Sequence, residues 1–297
     1  MIGRVFLFIA TNILVMVTIS IAASVLGVNR YLSAEGINYQ SLLILCVLWG
    51  FGGSFISLAM SRFAAKMALG VKVIDPNSQH QLQWLVMMVH DLAKKAGLPA
   101  MPEVGVYESD DVNAFATGPT KSRSLVAFSS GIIRSMSREE LEGVAAHEVA
   151  HIQNGDMVTM VLIQGVINVF VMFFARIAAF VASRSVDEKW SGVVHILTLI
   201  VCQILFGLLG AVVVAWFSRR REFRADAGSA RMSGRQPMVA ALERLLDFQR
   251  RGAEAAAMPA SMAALGISGK RSGFMALFST HPPLEERIAA LKNFAVN

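Results

Sequence analysis

The sequence predicts a mainly α-helical, polytopic membrane protein with four transmembrane helices and an α+β part outside the membrane. Of its 297 residues, 55% are apolar and 16% are charged, and the mean hydropathy is +0.54. Soluble domains are typically about 45–50% apolar and about 25% charged. The apolar residues also form four long stretches that contain almost no charge. This composition excludes disorder as well, because disordered chains combine low hydrophobicity with high net charge.

The four apolar stretches are long enough to cross a bilayer, which takes about 20 residues. The first, 5–29, is longer than the core of a signal peptide, so we interpret it as a retained anchor. Arg176 is the one charged residue within the four. We expect its helix to end near Ala175 or its side chain to extend to the membrane interface. The remaining stretches are 36–61, 157–183 and 190–218.

Basic residues next to the stretches predict their orientation, since lysine and arginine are enriched in short cytoplasmic loops. They are most frequent after the second and fourth stretches. We therefore expect both termini in the cytoplasm, and we interpret the net charge of +6 as a signal of membrane orientation rather than of nucleic-acid binding. The predicted divisions are an N-terminal hairpin at 1–61, a cytoplasmic segment at 62–156, a second hairpin at 157–218 and a cytoplasmic segment at 219–297.

The cytoplasmic segment between the hairpins has the patterns of a small α+β unit. Helical spacing of apolar residues predicts a helix over 79–97, and β-like runs predict strands at 104–107 and 125–128. Residues 113–116 are a further candidate strand, and 131–136 is a turn or a short helix. The last element is a helix from Ser137 to about residue 154, because Ser137 and Glu140 have the spacing of a capping box.

The sequence His147-Glu148-Val149-Ala150-His151 on that helix indicates the chemistry of the chain. Histidines four residues apart share one face of a helix, so both imidazoles can bind one zinc ion. Glu148 lies between them and can reach a water molecule on that ion. Two exposed histidines beside a solvated glutamate would give the same letters, but the capped helix argues against that interpretation.

A catalytic zinc ion needs a third protein ligand and one open position. Glu222 can supply a carboxylate oxygen, and Asp226, one helical turn later, can bind the far nitrogen of a ligand histidine, which we expect to be His147. Two predicted spans separate His151 from Glu222, so both residues lie on the same side of the membrane. Three other histidines are poorer candidates, since one lies deep in a span and two lie on an early amphipathic helix: His195, His80 and His90.

Longer motifs give the sequence a resemblance to a known family. They are GFGGSF at 50–55, DVNAFATG at 111–118, AAHEVAHIQNGDMVTM at 145–160, SRRREFRADAGSA at 218–230 and THPPLEERI at 280–288. With them the chain resembles the HtpX family of bacterial membrane-bound zinc metallopeptidases, which is related to the CAAX prenyl proteases. The resemblance implies a gluzincin-like domain and one zinc ion per chain, held by His147, His151 and Glu222, with Glu148 catalytic.

The resemblance also implies a biological setting. It points to a multi-pass protein of the bacterial inner membrane whose active site faces the cytoplasm. The expected substrates are polypeptides, above all misfolded, damaged or unfolded membrane proteins, which are cleaved as part of a stress response. The lipid bilayer is a further expected partner, because it surrounds the spans. Other quality-control proteases are possible partners, and no nucleic acid is expected.

Two further assignments draw on the resemblance. His281, which precedes Pro282 and Pro283, is our candidate donor to the negative charge that develops on the scissile carbonyl. Arg287 could instead stabilise the fold by pairing with a carboxylate. The backbone of Asn113, Ala114, Phe115 and Ala116 is expected to hold an extended substrate as an edge strand, although an ordinary core strand would have the same pattern.

Three alternatives remain open at this point. An intramembrane zinc protease would place the two histidines inside a span, but polar residues flank them here. A CAAX-type protease shares the ligand pattern but would need more than four spans. A membrane scaffold that merely holds zinc would not need Glu148 and would usually have four protein ligands.

Overall fold

The structure is a computed structural model that describes residues 32–33, 36–77, 81–256 and 279–294. The predicted span at 5–29 and His80 lie outside these ranges. The chain forms two compact units, one with residues up to Met60 and Val158–Val214, the other with Ser61–Met157 and the residues from Ala215 onward.

The elements follow one another in a simple order. The described helices are α1 (Tyr39–Leu69), α2 (Gln83–Lys95), α3 (Ser130–Ser135), α4 (Arg138–Asn154), α5 (Asp156–Arg184), α6 (Glu188–Ser233), α7 (Arg235–Ala256) and α8 (Leu284–Lys292). The described strands are β1 (Leu32–Ser33), β2 (Gly36–Ile37), β3 (Lys72–Val73), β4 (Glu103–Tyr107), β5 (Ala114–Thr120) and β6 (Arg123–Ser129).

Three helices in the described part of the chain, α1, α5 and α6, are long and apolar enough to cross a membrane. The remaining predicted span, the stretch at 5–29, lies outside the described residues. Helix α5 continues through Arg176 to Arg184, so the expectation that it ends near Ala175 is wrong. The half-buried Arg176 instead donates a hydrogen bond to the carbonyl of Met172, one turn earlier (3.3 Å).

Helix α1 differs from the predicted stretch at 36–61 at both ends. Gly36 and Ile37 pair with β1 as a short strand, and the helix runs on to Leu69. Its last turns carry Arg62 and Lys66, which form ion pairs with Glu103 on β4 (2.6 and 2.8 Å). The helix therefore extends beyond the apolar stretch, and the basic residues of this extension form ion pairs with the sheet.

The unit that contains Ser61–Met157 is built on a four-stranded sheet with the order β3-β4-β6-β5. Strands β4 and β6 are parallel, and β5 pairs antiparallel with β6 at one edge. The predicted strands at 104–107 and 125–128 are confirmed, and the candidate at 113–116 is a strand that begins at Ala114. Strand β3 was not predicted, since two residues carry no periodicity.

Helix α4 lies at the centre of this unit, where it packs against α2, α7 and the strands β5 and β6. Its fully buried Ala145, Ala146 and Val149 belong to the main apolar core. Gly143 lets α7 approach closely, because a Cβ atom there would overlap the backbone carbonyl of Pro237. The packing of these core residues therefore fixes the rotation of α4 about its axis, and with it the direction of the face that the two histidines share.

Candidate metal centre

The sequence determines both ends of α4. The capping box is present, because the Ser137 hydroxyl accepts from the backbone N–H of Glu140, and the Glu140 carboxylate accepts from that of Ser137 (3.2 and 2.6 Å). The helix ends at Gly155, whose φ of +71° is a left-handed conformation that favours glycine. Between these ends, His147 and His151 are 7% and 8% exposed. A predicted helix thus carries both histidines into a buried position.

Helix α6 brings Glu222 to these histidines. The Glu222 side chain is 1% exposed, and its two carboxylate oxygens lie 3.5 Å from Nε2 of His147 and 3.4 Å from Nε2 of His151. The two Nε2 atoms are 3.1 Å apart. One candidate ligand atom from each residue lies within 4.8 Å of the other two, so the three side chains can hold one metal ion.

Small residues place α6 close to α4. A Cβ atom on Gly228 would lie 2.8 Å from Cβ of Ala150, and the Ser229 hydroxyl donates to the carbonyl of Gly143 (3.1 Å). Glu222 is six residues before Gly228 on the same helix. The alanine, glycine and serine of the motif at 225–230 therefore set the distance between the two helices that carry the candidate ligands.

Asp226 binds the far nitrogen of His147, as the sequence indicated. Its Oδ1 lies 2.9 Å from Nδ1 of His147, and Arg287 donates two hydrogen bonds to the same carboxylate (2.6 and 2.8 Å). Burial lowers the pKa of His147, but hydrogen bonds to Asp226 and Glu222 outweigh it and raise the pKa overall. Burial likewise raises the pKa of Asp226, and Arg287 and His147 more than reverse that effect.

His151 has a carboxylate partner that the sequence analysis missed. Oδ2 of Asp156, the first residue of α5, lies 2.7 Å from Nδ1 of His151. Burial lowers the pKa of His151, whereas Asp156 and Glu222 raise it, with a net result of about 9. The sequence did contain a signal for this contact. Asp156 directly follows Gly155, the glycine that ends α4, and a glycine at this position can turn the chain back towards the last turn of the helix.

Glu222 is surrounded by positive groups. Burial raises the pKa of its carboxyl group, but hydrogen bonds from His147, His151 and His281 hold it far below its usual range. The Nδ1 atom of His281 lies 2.9 Å from Oε2, and Nη1 of Arg287 lies 3.5 Å from the same oxygen. The buried Oε1 atom has no hydrogen-bond partner among the described residues. A cation between Oε1 and Nε2 of His151, which are 3.4 Å apart, would give this oxygen a direct partner.

The other predicted site residues have different positions. Glu148 is half-buried on α4. Burial and direct hydrogen bonds are the larger influences on the pKa values of His151 and Arg287, and the negative charge of Glu148 raises both pKa values further.

His281 lies at the cluster as predicted, although it contacts Glu222. Arg287 pairs with Asp226, which is the bracing contact that the sequence analysis considered. His90 donates a hydrogen bond from Nε2 to the carbonyl of Pro102 (3.1 Å) and is not part of the cluster.

The candidate substrate strand borders the helix that carries the histidines. Ala114 and Ala116 pack against the main core, whereas the ring of Phe115 lies against Tyr107 on the opposite face of the sheet. Asn113 precedes the strand, and its backbone exchanges hydrogen bonds with Ser129. Since β5 has one strand neighbour among the described residues, its outer backbone groups point away from the sheet.

Comparison with known proteins agrees with this centre. The family model described as peptidase family M48 matches residues 79–295, which is more than half of the chain. The chain belongs to peptidase family M48. This family model covers the residues that form the His-His-Glu cluster, and together with the apolar helices it identifies the chain as a membrane metalloprotease that acts on polypeptides.

Similar proteins extend the M48 match over almost the whole chain. The chain is 51% identical to a protease HtpX homolog of Nitrosomonas eutropha over 98% of its own length and 99% of the relative. It is likewise 51% identical to a protease HtpX homolog of Bordetella petrii over 99% of both chains. The crystal structure of S. mikatae Ste24p has a similar fold, with a TM-score of 0.64 and 17% identity over 98% of this chain. The chain spans 66% of the length of that structure.

Proposed function

We propose that this M48 peptidase is a zinc-dependent endopeptidase that hydrolyses misfolded or damaged membrane proteins. The observation that carries this proposal is the convergence of His147, His151 and Glu222 beside Glu148. Tetrahedral ligand atoms bound to zinc at about 2.0–2.1 Å lie about 3.3 Å from one another. The two Nε2 atoms are 3.1 Å apart, Oε1 of Glu222 lies 3.4 Å from that of His151, and Oε2 lies 3.5 Å from that of His147. Two nitrogens and one carboxylate oxygen are also the ligand set of many catalytic zinc sites.

The proposed setting is the bacterial inner membrane, with both termini and the metal centre in the cytoplasm. The arginines at the end of the apolar part of α6 support this orientation, because basic residues favour the cytoplasmic side. The resemblance to the HtpX family implies a role in membrane protein quality control, and the 51% identity to a protease HtpX homolog supports membership of that family. Other quality-control proteases are its expected neighbours.

The residues of the chain then have distinct tasks in peptide hydrolysis. A bound zinc ion supplies water with a pKa of about 7 and polarises the scissile carbonyl. Glu148 accepts the proton of the attacking water and donates it to the departing amine. His281 provides a hydrogen bond to the negative charge that develops on the carbonyl oxygen. The outer edge of β5, which begins at Ala114, holds the substrate backbone in an extended conformation.

The decisive experiment compares wild type with Glu148→Gln in the purified full-length protein. We expect one zinc ion per chain in both, because Glu148 is not a ligand, and chelator-sensitive cleavage of an unfolded polypeptide in wild type alone. Glu142→Gln is the matched control, since Glu142 lies on the same helix outside the cluster. Zinc binding without any cleavage by wild type would favour the scaffold alternative, and normal cleavage by Glu148→Gln would refute the assignment of the base.

A further inference from the structure

Asp156 occupies the junction between the helix that bears both histidines and the apolar helix α5. It is 1% exposed, and its two oxygens have different partners. Oδ2 lies 2.7 Å from Nδ1 of His151, and Oδ1 accepts a hydrogen bond from Nη2 of Arg224 (3.2 Å). A buried carboxylate with a histidine on one oxygen and an arginine on the other has a fixed orientation.

This geometry determines how His151 faces the cluster. When Nδ1–H donates to a carboxylate, the tautomer of the ring is fixed and the lone pair of Nε2 is left for a metal. The Nε2 atom of His151 points to Glu222 and to Nε2 of His147 (3.4 and 3.1 Å). Asp156 therefore orients the ligand atom of His151 in the way that Asp226 orients that of His147.

We infer that Asp156 is a positioning residue of the metal centre, which holds His151 while Arg224 holds its carboxylate. The inference rests on the proposed function, because it assumes that the cluster binds zinc. Asp156 lies in the first turn of α5, where the helix dipole also stabilises a negative charge. That local role requires neither His151 nor a metal ion, so the two roles make different predictions for metal affinity.

The test measures the zinc dissociation constant of the chelator-treated, full-length protein by competition with a chromophoric chelator. We expect Asp156→Asn to weaken zinc binding about 10–100-fold, the usual effect of removing a partner of a ligand histidine. Asp110→Asn is the matched control, because Asp110 is an exposed aspartate that also pairs with an arginine, Arg134 (2.7 Å). It should bind zinc like wild type.

A second measurement separates positioning from a purely structural role. With cobalt in place of zinc, the visible absorption bands report the geometry of the ligands, and we expect them to change in Asp156→Asn and not in Asp110→Asn. If Asp156→Asn does not fold, Arg224→Gln replaces it, since that side chain is 62% exposed and its removal leaves the contact between Asp156 and His151. We expect Arg224→Gln to weaken zinc binding less than Asp156→Asn.

The outcomes distinguish this inference from the proposed function. If wild type binds no zinc, the proposed function fails and the inference fails with it. If wild type binds zinc and Asp156→Asn has the same affinity and the same cobalt spectrum, the inference alone is overturned. If Arg224→Gln has to carry the test, wild-type affinity in that variant overturns the inference as well.

Discussion

The two histidines of the candidate metal centre have matching partners but very different surroundings. His147 binds Asp226, and both oxygens of that carboxylate are held by the buried Arg287. His151 binds Asp156, and a single hydrogen bond joins that carboxylate to Arg224, which is largely exposed. The chemistry at each imidazole is the same, so the difference lies in how strongly the rest of the fold constrains each carboxylate. The partners of His147, which we call the His147 side, come from two helices distant in sequence, α6 and α8. The partner of His151, the His151 side, is held mainly by the turn that directly follows α4.

The largest effect is expected where the two sides meet, at Glu222. Replacement of Glu222 by Ala removes the carboxylate that faces both imidazoles, so zinc content should fall from one ion per chain towards zero and cleavage should be lost. Metal analysis of the purified variant measures this directly. Glu243→Ala, which removes an exposed carboxylate paired with Lys292, should retain its metal. Full metal content in Glu222→Ala would remove Glu222 from the centre.

A second prediction compares the two arginines. Arg287→Ala leaves the buried carboxylate of Asp226 without its main partner, which should cost about 3–5 kcal/mol of stability. Arg224→Ala removes an exposed partner, and exposed pairs are worth about 0–1 kcal/mol. Thermal melting of both variants in detergent should therefore show a much larger loss for Arg287→Ala. Equal losses would mean that burial does not distinguish the two sides.

A third prediction concerns pH in the metal-free protein. The folded-state pKa of His151 is about 9, above its ordinary value of 6.5, so its interactions with Asp156 and Glu222 stabilise the fold fully below pH 6.5. This contribution is lost as the pH rises through 9. We expect the melting temperature of chelator-treated protein to fall between pH 6.5 and 9. A flat profile for wild type, or the same decline in His151→Ala, would contradict the assignment.

The smallest expected effect is at Gly155, whose left-handed φ delivers Asp156 to His151. Alanine in this conformation costs about 1–2 kcal/mol, and a Cβ atom there would meet only Cε of Lys121 at 3.6 Å. We expect Gly155→Ala to lower stability slightly and to weaken zinc binding through the His151 side alone. Asparagine, which tolerates this conformation, should be milder. Gly192→Ala, with open space around the glycine, should cost nothing.

The parts of the site that the sequence predicted are those with short-range signals. The spacing of His147 and His151, the capping box at Ser137 and the pair Glu222 and Asp226 each span five residues or fewer, so helical geometry alone relates them. Their convergence across two elements was inferred by counting spans and from the family resemblance.

The missed parts depend on geometry that residue spacing does not contain. The contact of Asp156 with His151 needs the left-handed turn at Gly155, because without that turn the two side chains would follow a continuous helix. The sequence left two possible roles for Arg287. Its pairing with Asp226, which lies 61 residues earlier in the chain, depends on how α8 packs in the folded protein. The end of α1 was misplaced because the partner of Arg62 and Lys66, Glu103, lies on a strand.

The glycine at position 143 has a consequence for protein engineering. A glycine inside a helix normally costs about 1 kcal/mol relative to alanine, so Gly→Ala exchange is a common way to make a helical enzyme more heat-resistant. At Gly143 the added methyl group would collide with the main chain of α7, which has no freedom to rotate out of the way. Thermostabilising libraries should leave this position unchanged, because the helix that would gain propensity is the one that carries the histidines.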